Sequence, residues 1–146
     1  MRNKKIFYLL SFTWGLPLTL IGCIIAAVLM ACGKKPIKYG WFWYFEVGYY
    51  WGGLELGPIF LVQHKASEFT KTHEAGHGIQ NTRYGPMMLF IVTIPSAIRY
   101  WYREFRSFIN RPCKTGYQDI WFEAEANRLG AEVMSLCSGE SDEASE

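Results

Sequence analysis

The sequence predicts an α+β membrane protein. The expected elements are an N-terminal transmembrane helix, a small antiparallel aromatic sheet, a helix with an HExxH motif, a second membrane-embedded helix and a C-terminal helix. Three features predict this fold class: residues 6–33 carry no charge, residues 41–51 include eight aromatic residues, and the string HEAGH at residues 73–77 lies between two apolar stretches.

The uncharged run is the basis for the predicted anchor. Its 28 residues exceed the roughly 18 that indicate a transmembrane helix. A cleaved signal peptide has a shorter apolar region, of about 7 to 15 residues. We therefore expect a helix over about residues 6–31, the lipid bilayer as a partner and an integral location in the cell membrane. Lipidation at Cys23, which follows Leu-Ile-Gly, is the less favoured alternative.

A second apolar stretch covers residues 84–98 and is followed by Tyr100, Trp101 and Tyr102. Its 15 residues fall between the length of a buried helix and that of a span. Aromatic residues of this kind favour the membrane interface, and Pro95 is expected to kink the helix. The stretch is predicted to be membrane-embedded, and whether it crosses the whole bilayer stays open.

Charge and length suggest the domain organisation. Four of the 13 acidic residues lie in the last seven positions, so the rest of the chain has 15 basic residues against nine acidic ones. A basic body suits nucleic acid or an anionic membrane, and the apolar segments favour membrane without a nucleic-acid partner. We predict an anchor at residues 1–33, one membrane-associated domain at 34–139 and a disordered acidic tail at 140–146.

The aromatic segment predicts strands. Aromatic residues favour strands, and Gly52-Gly53 is a turn signal, so residues 54–62 are expected to pair back on residues 41–51. Gly57-Pro58 indicates an edge strand, since proline cannot donate a ladder hydrogen bond. An aromatic belt in the lipid interface is the alternative.

The polar segment after residue 62 contains the candidate metal ligands. Ser67 or Thr70 is a suitable helix cap, and Gly85-Pro86 would end the helix. Four residues separate His73 from His77, so both imidazoles project from one face and can share a metal ion. Glu74 would then act on a metal-bound water. Histidines that only face solvent are the simpler alternative.

A third ligand is expected on a separate helix. Residues 119–130 have helical periodicity, and Asp119 is a candidate cap. Glu123 and Asn127 lie one turn apart, so one can ligate the metal while the other orients a ligand histidine. Glu125 is rotated by about 200° from Glu123, which makes it the weaker candidate, and a solvated Glu123 also remains an alternative.

The HEAGH segment followed by Glu-x-x-x-Asn resembles the gluzincin metallopeptidases. In that family a second helix supplies a glutamate ligand and, four residues later, usually an aspartate that orients a histidine. Asn127 stands in place of the aspartate. The strings FEVGYYWGGLELG, HEAGHGIQN, YGPMMLFIVTIPSAIRYWYRE and IWFEAEANRLGAE also resemble a group of small uncharacterised bacterial membrane proteins. The resemblance implies a zincin-like domain at residues 34–139 but no particular substrate.

These residues lead to a functional hypothesis. A Zn²⁺ ion held by His73, His77 and Glu123 would activate water for attack on a peptide bond, with Glu74 as general base. The substrate would be a peptide or a membrane-proximal protein segment. The oxyanion donor stays open among four side chains, which are Tyr84, Tyr117, Arg83 and His64.

Two other functional classes remain. A non-catalytic structural or accessory membrane protein would bind metal without turnover. A membrane-type non-heme iron hydroxylase or desaturase is less favoured, because those sites need more histidines than the three of this chain.

Overall fold

A computed structural model of the chain describes residues 3–111, 113 and 120–143. The fold is α+β, with five α-helices and one four-stranded mixed sheet in this described part. In chain order the elements are α1 (Lys4–Ser11), α2 (Leu16–Ala31), β1 (Ile37–Tyr39), β2 (Phe42–Glu46), β3 (Gly53–Leu56), β4 (Ile59–Val62), α3 (Glu68–Tyr84), a 3-10 turn (Gly85–Met87), a π-helical turn (Leu89–Thr93), α4 (Ile94–Phe108) and α5 (Trp121–Glu143).

The predicted transmembrane helix is wrong, because the uncharged run bends by 90° between α1 and α2. At the bend the Gly15 carbonyl accepts a hydrogen bond from Asn81 Nδ2 at 3.2 Å, and Trp14 donates to the Arg83 carbonyl at 3.4 Å. Pro17 lies in the first turn of α2, where proline favours a new helix. Among the described residues no single helix is long and apolar enough to cross a membrane, and only the bent pair reaches that length and composition together.

The second apolar stretch is also not one embedded helix. It is divided among the end of α3, the 3-10 turn, the π-helical turn and the start of α4. Pro95 lies in the first turn of α4, and the π-helical turn precedes that helix directly, with Thr93 and Ile94 both in helical conformation. Helix α4 is amphipathic, and none of its 15 residues is buried.

The sheet has the strand order β1-β2-β4-β3 and mixed pairing. Strand β2 pairs antiparallel with β1, β4 pairs antiparallel with β3, and the central pair β2–β4 is parallel. The predicted antiparallel pairing of residues 41–51 with 54–62 is therefore wrong. Gly57, with a φ of +80°, and Pro58 form the turn of a β3–β4 hairpin, so this second run contains two strands. Of these two strands, β3 lies at an edge of the sheet and β4 lies in its interior.

Both faces of the sheet are buried, which explains the density of aromatic residues. Phe42 and Tyr44 pack on one face with Phe60 and the α1 residue Phe7. Phe45 points to the opposite face, into a cluster with α2 and the π-helical turn. A strand covered on both sides has apolar residues at successive positions instead of in alternation.

Helix α3 lies in the centre of the fold, between the sheet and α5. Its N-cap is Ser67, whose hydroxyl accepts from the Thr70 amide at 3.1 Å, and it ends at Gly85, which has a φ of +54°. Unusually for buried helix positions, several of its inward side chains are polar. They are Glu74, His77, Gln80, Asn81 and Thr82.

Helices α3 and α5 cross at a very short distance. A Cβ atom on Gly76 would collide with the carbonyl of Ala126, and one on Gly130 would collide with the carbonyl of Thr72. Glycine at these two positions therefore allows each helix backbone to lie directly on the other. This contact brings the first turns of α5 beside the histidines of α3.

Two predicted features concern the ends of α5. Asp119, the predicted cap, lies outside the described residues. The helix extends to Glu143, so the predicted start of the acidic tail at residue 140 falls within it. Residues 144–146 lie outside the described part of the chain.

We expect Gly76→Ala to lower the free energy of unfolding by about 1–3 kcal/mol, because the added methyl group overpacks the α3–α5 crossing. Thermal and urea unfolding measure the change. Gly139→Ala is the matched control, since a Cβ there meets nothing within 4 Å and alanine favours a helix. Equal stability of the two variants would contradict the close crossing.

Candidate metal centre

Three potential ligands, His73, His77 and Glu123, meet where α3 crosses α5. Their ligand atoms all lie within 4.8 Å of one another. Glu123 Oε2 is 3.0 Å from His73 Nε2 and 3.4 Å from His77 Nε2, and the two Nε2 atoms are 3.1 Å apart. Zinc bonds of about 2.0–2.1 Å in a tetrahedron place ligand atoms about 3.3 Å apart. The three atoms therefore have the spacing of one face of a zinc coordination tetrahedron.

The other nitrogen of each histidine is held by a side-chain amide. His73 Nδ1 lies 2.8 Å from Asn127 Oδ1, and His77 Nδ1 lies 2.7 Å from Gln80 Oε1. Since an amide oxygen can only accept, each Nδ1 carries the proton and donates it. The neutral rings then present unprotonated Nε2 atoms to the cluster, as metal ligands require.

Glu123 is fixed in the same way from the opposite side. Its Oε1 accepts a hydrogen bond from Ser96 of α4 at 2.6 Å, which turns Oε2 towards the histidines. The side chain is fully buried, and Oε2 has no hydrogen-bond donor. A buried carboxylate oxygen without a donor is costly, and a cation at this point would compensate its charge.

The charges in the cluster favour a cation. Burial raises the pKa of Glu123, but the adjacent histidines and Ser96 outweigh burial and hold that pKa far below its usual range. Burial lowers the pKa of His73, yet the carboxylates of Glu123 and Glu74 outweigh burial and raise it. Without a cation, the ionised carboxylate therefore favours a second proton on the His73 ring. A divalent cation would replace that proton.

Glu74 borders the cluster without belonging to the three-ligand group. A Cβ on Gly53 would lie 2.5 Å from Glu74 Oε1, so only glycine at this point of β3 leaves room for the carboxylate. Burial raises the pKa of Glu74, and the charges of the two histidines oppose that rise. A carboxylate with a raised pKa is a suitable general base near neutral pH.

A cavity of about 560 Å³ opens over His73 and His77. One wall is the edge strand β3 with the preceding Trp51 and Gly52, and the opposite wall is α4 with the π-helical turn. Its surface is mainly apolar, and His73, Glu74 and His77 are among its polar lining residues. Ligand sites typically combine an apolar cavity with a few convergent polar groups.

A buried acid, Glu55, also lines the cavity from β3. Its Oε1 accepts from the amide of Gly57, and burial raises its pKa well above the ordinary value. Nothing in the sequence distinguished this glutamate from a solvated strand residue.

Sequence reasoning also missed the side chains that orient the ligands. Gln80 is fully buried, and besides accepting from His77 it donates to Glu125 Oε2 at 2.8 Å. Its position three residues after His77 was a usable signal. Ser96 had no such signal, since it reaches Glu123 from a different helix.

Three of the four predicted oxyanion donors lie in the described part of the chain, and none of these three lines the cavity. Tyr84 and Arg83 each donate to Glu125 at 2.8 Å, and His64 pairs with Glu46 at 2.6 Å. Tyr117 lies outside the described residues. Glu125 is not one of the three clustered ligands, and it is linked to His77 through Gln80.

Comparisons with known proteins add no relative. No family model matches the chain, and no curated protein or solved structure matches it either. The resemblance to gluzincins therefore depends on the residues and the geometry alone.

Zinc content tests the third ligand. We expect Glu123→Ala to abolish stoichiometric zinc binding, because it removes the buried carboxylate between the histidines. Glu125→Ala is the control two residues away and should retain the metal. Elemental analysis of both purified variants measures the zinc content. Zinc retained by Glu123→Ala but lost by Glu125→Ala would refute Glu123 as the third ligand.

A second experiment tests Asn127. Asn127→Leu removes the acceptor for His73 Nδ1 at similar volume, and zinc affinity should fall by about 10–100-fold. Asn127→Asp keeps an acceptor and should bind zinc at least as tightly as the parent chain. Competition with a chelator measures both affinities, and equal affinities for Leu and Asp would exclude this orienting role.

Proposed function

We propose that this protein is a zinc-dependent peptidase of the gluzincin type. Its metal ligands would be His73, His77 and Glu123, and its general base Glu74. The observation that carries the proposal is Glu123 Oε2, a buried oxygen without a donor at 3.0 and 3.4 Å from the two histidines. The same three residues are the ones that the sequence spacing predicts as ligands.

Bound zinc would supply a polarised water with a pKa of about 7 and a Lewis acid for a substrate carbonyl. The chain's own residues would supply the rest. The amides of Asn127 and Gln80 hold the imidazoles in one tautomer, and Ser96 holds the carboxylate. Glu74 lies beside the open side of the cluster, where it would take the proton of the attacking water.

The cavity supports an extended peptide as substrate. Strand β3 pairs with β4 on one side only and lines the cavity. A substrate segment could add to this edge through main-chain hydrogen bonds, which is a recurrent mode of peptide recognition.

Tyr100 and Arg103 replace the earlier candidates for oxyanion stabilisation, because both line the cavity from α4. A hydrogen-bond donor aimed at the developing oxyanion is a large contribution to peptide hydrolysis. We assign oxyanion stabilisation to Tyr100 and Arg103 together.

The substitution Glu74→Gln separates metal binding from turnover. The variant should keep its zinc and lose about 10²–10⁴-fold in kcat/KM for a peptide library, because the amide cannot accept the proton. Glu104→Gln, the same change at an exposed residue lining the cavity, is the control and should retain most activity.

Two outcomes would contradict the peptidase. One is hydrolysis by Glu74→Gln at the parent rate, which would exclude the assigned base. The other is a zinc-loaded parent chain that cleaves no peptide in the library, which would favour a structural metal site.

A further inference from the structure

Helix α4 has an exposed apolar face. Its members recur at helical spacing, from 41% exposed at Ile94 to 85% at Phe108. The set comprises Ile94, Ile98, Trp101, Tyr102, Phe105 and Phe108. Isolated exposed apolar residues are common, but a contiguous stripe of this size marks an interaction surface.

The opposite face of α4 faces the metal centre. Ser96 bonds to Glu123, and Tyr100, Arg103 and Glu104 line the cavity. At about 100° per residue these positions lie on the side away from Phe105. The apolar face therefore points away from the protein body.

Basic residues border this apolar face. Arg99 and Arg106 fall at its edge on the helix, and the Arg106 guanidinium lies 5.9 Å from the ring centre of Tyr102. Apolar and aromatic residues bordered by arginine are typical of helices that lie in the plane of a membrane interface. A guanidinium group at the edge of such a helix lies near the lipid headgroups, where it can form bidentate hydrogen bonds with phosphates.

A second surface of the same chemistry lies on α2. This helix has no charged residue, and Leu16, Leu20, Ile24 and Val28 form an exposed stripe. The α1–α2 pair is flanked by exposed lysines at both ends. These are Lys4, Lys5, Lys34, Lys35 and Lys38.

We propose that α4 docks in the plane of an anionic phospholipid bilayer, with its apolar face among the acyl chains and its arginines at the phosphates. Basic residues near an anionic leaflet each strengthen binding, and the arginines at the edge of α4 would supply this attraction. This is surface attachment, and it does not restore the predicted transmembrane helix. A second copy of the chain would cover the apolar stripe but would bring arginines of like charge together.

The attachment bears on substrate choice. Ala97 and Trp101 line the cavity and also lie on the apolar side of α4, so the cavity opens next to the bilayer. Peptide segments at the membrane surface would then be the substrates. This extension rests on the proposed function, whereas the docking itself does not.

Vesicle flotation of the full chain tests the docking. The chain should float with vesicles of three parts phosphatidylcholine to one part phosphatidylglycerol, and more weakly with phosphatidylcholine alone or in 1 M salt. Phe105→Glu should lower the bound fraction at least about tenfold, since it replaces a large apolar contact with a charge. Ser107→Glu adds the same charge on the opposite face and should bind like the parent.

Equal flotation of Phe105→Glu and the parent would overturn the proposal. Absence of flotation by the parent would also overturn it, and so would a parent dimer in light scattering that Phe105→Glu dissociates without any vesicle binding. Zinc content and circular dichroism of each variant confirm an intact fold. Because zinc is measured separately, a failure of docking cannot be mistaken for a failure of the metal centre.

Discussion

The direct contact between the backbones of α3 and α5 is the constraint on which the rest of the structure depends. Gly76 and Gly130 remove the side chains that would separate the two helices. A Glu side chain is short, and its carboxylate reaches the imidazoles of the neighbouring helix only when the axes lie this close. The same contact places Asn127 beside His73. A larger residue at either glycine would move all of these groups together.

Polar burial is the cost of this arrangement, and the fold compensates it with hydrogen bonds. Gln80 bridges His77, the Phe122 carbonyl and Glu125, so one amide links the ligand to the partner helix. Ser96 satisfies one oxygen of Glu123 and leaves the other facing the histidines. Rigid support of this kind fixes ligand geometry before a metal arrives, which reduces the ordering needed on binding.

The N-terminal run shows why hydropathy was misleading. An uncharged apolar helix is stable against lipid or against protein, and its sequence does not tell which neighbour it has. Here the partners are Asn81 and the carbonyl of Arg83, which bond to the bend between α1 and α2. The sheet misled in a related way. A Gly57-Pro58 pair is compatible with an edge strand and also with a hairpin turn. Only the strand pairing in the folded protein distinguishes the two.

The sequence by itself determined the local chemistry. The four-residue spacing placed His73 and His77 on one helix face, and the same spacing placed Glu123 beside Asn127, because helical periodicity is a property of the backbone. Cap and stop signals likewise located α3 from Ser67 to Gly85. Tertiary structure alone decided the parallel central strand pair, the 90° bend, and the contributions of Gly53 and Ser96 to the site. These features depend on contacts between segments distant in sequence, and no local pattern encodes which segments will meet.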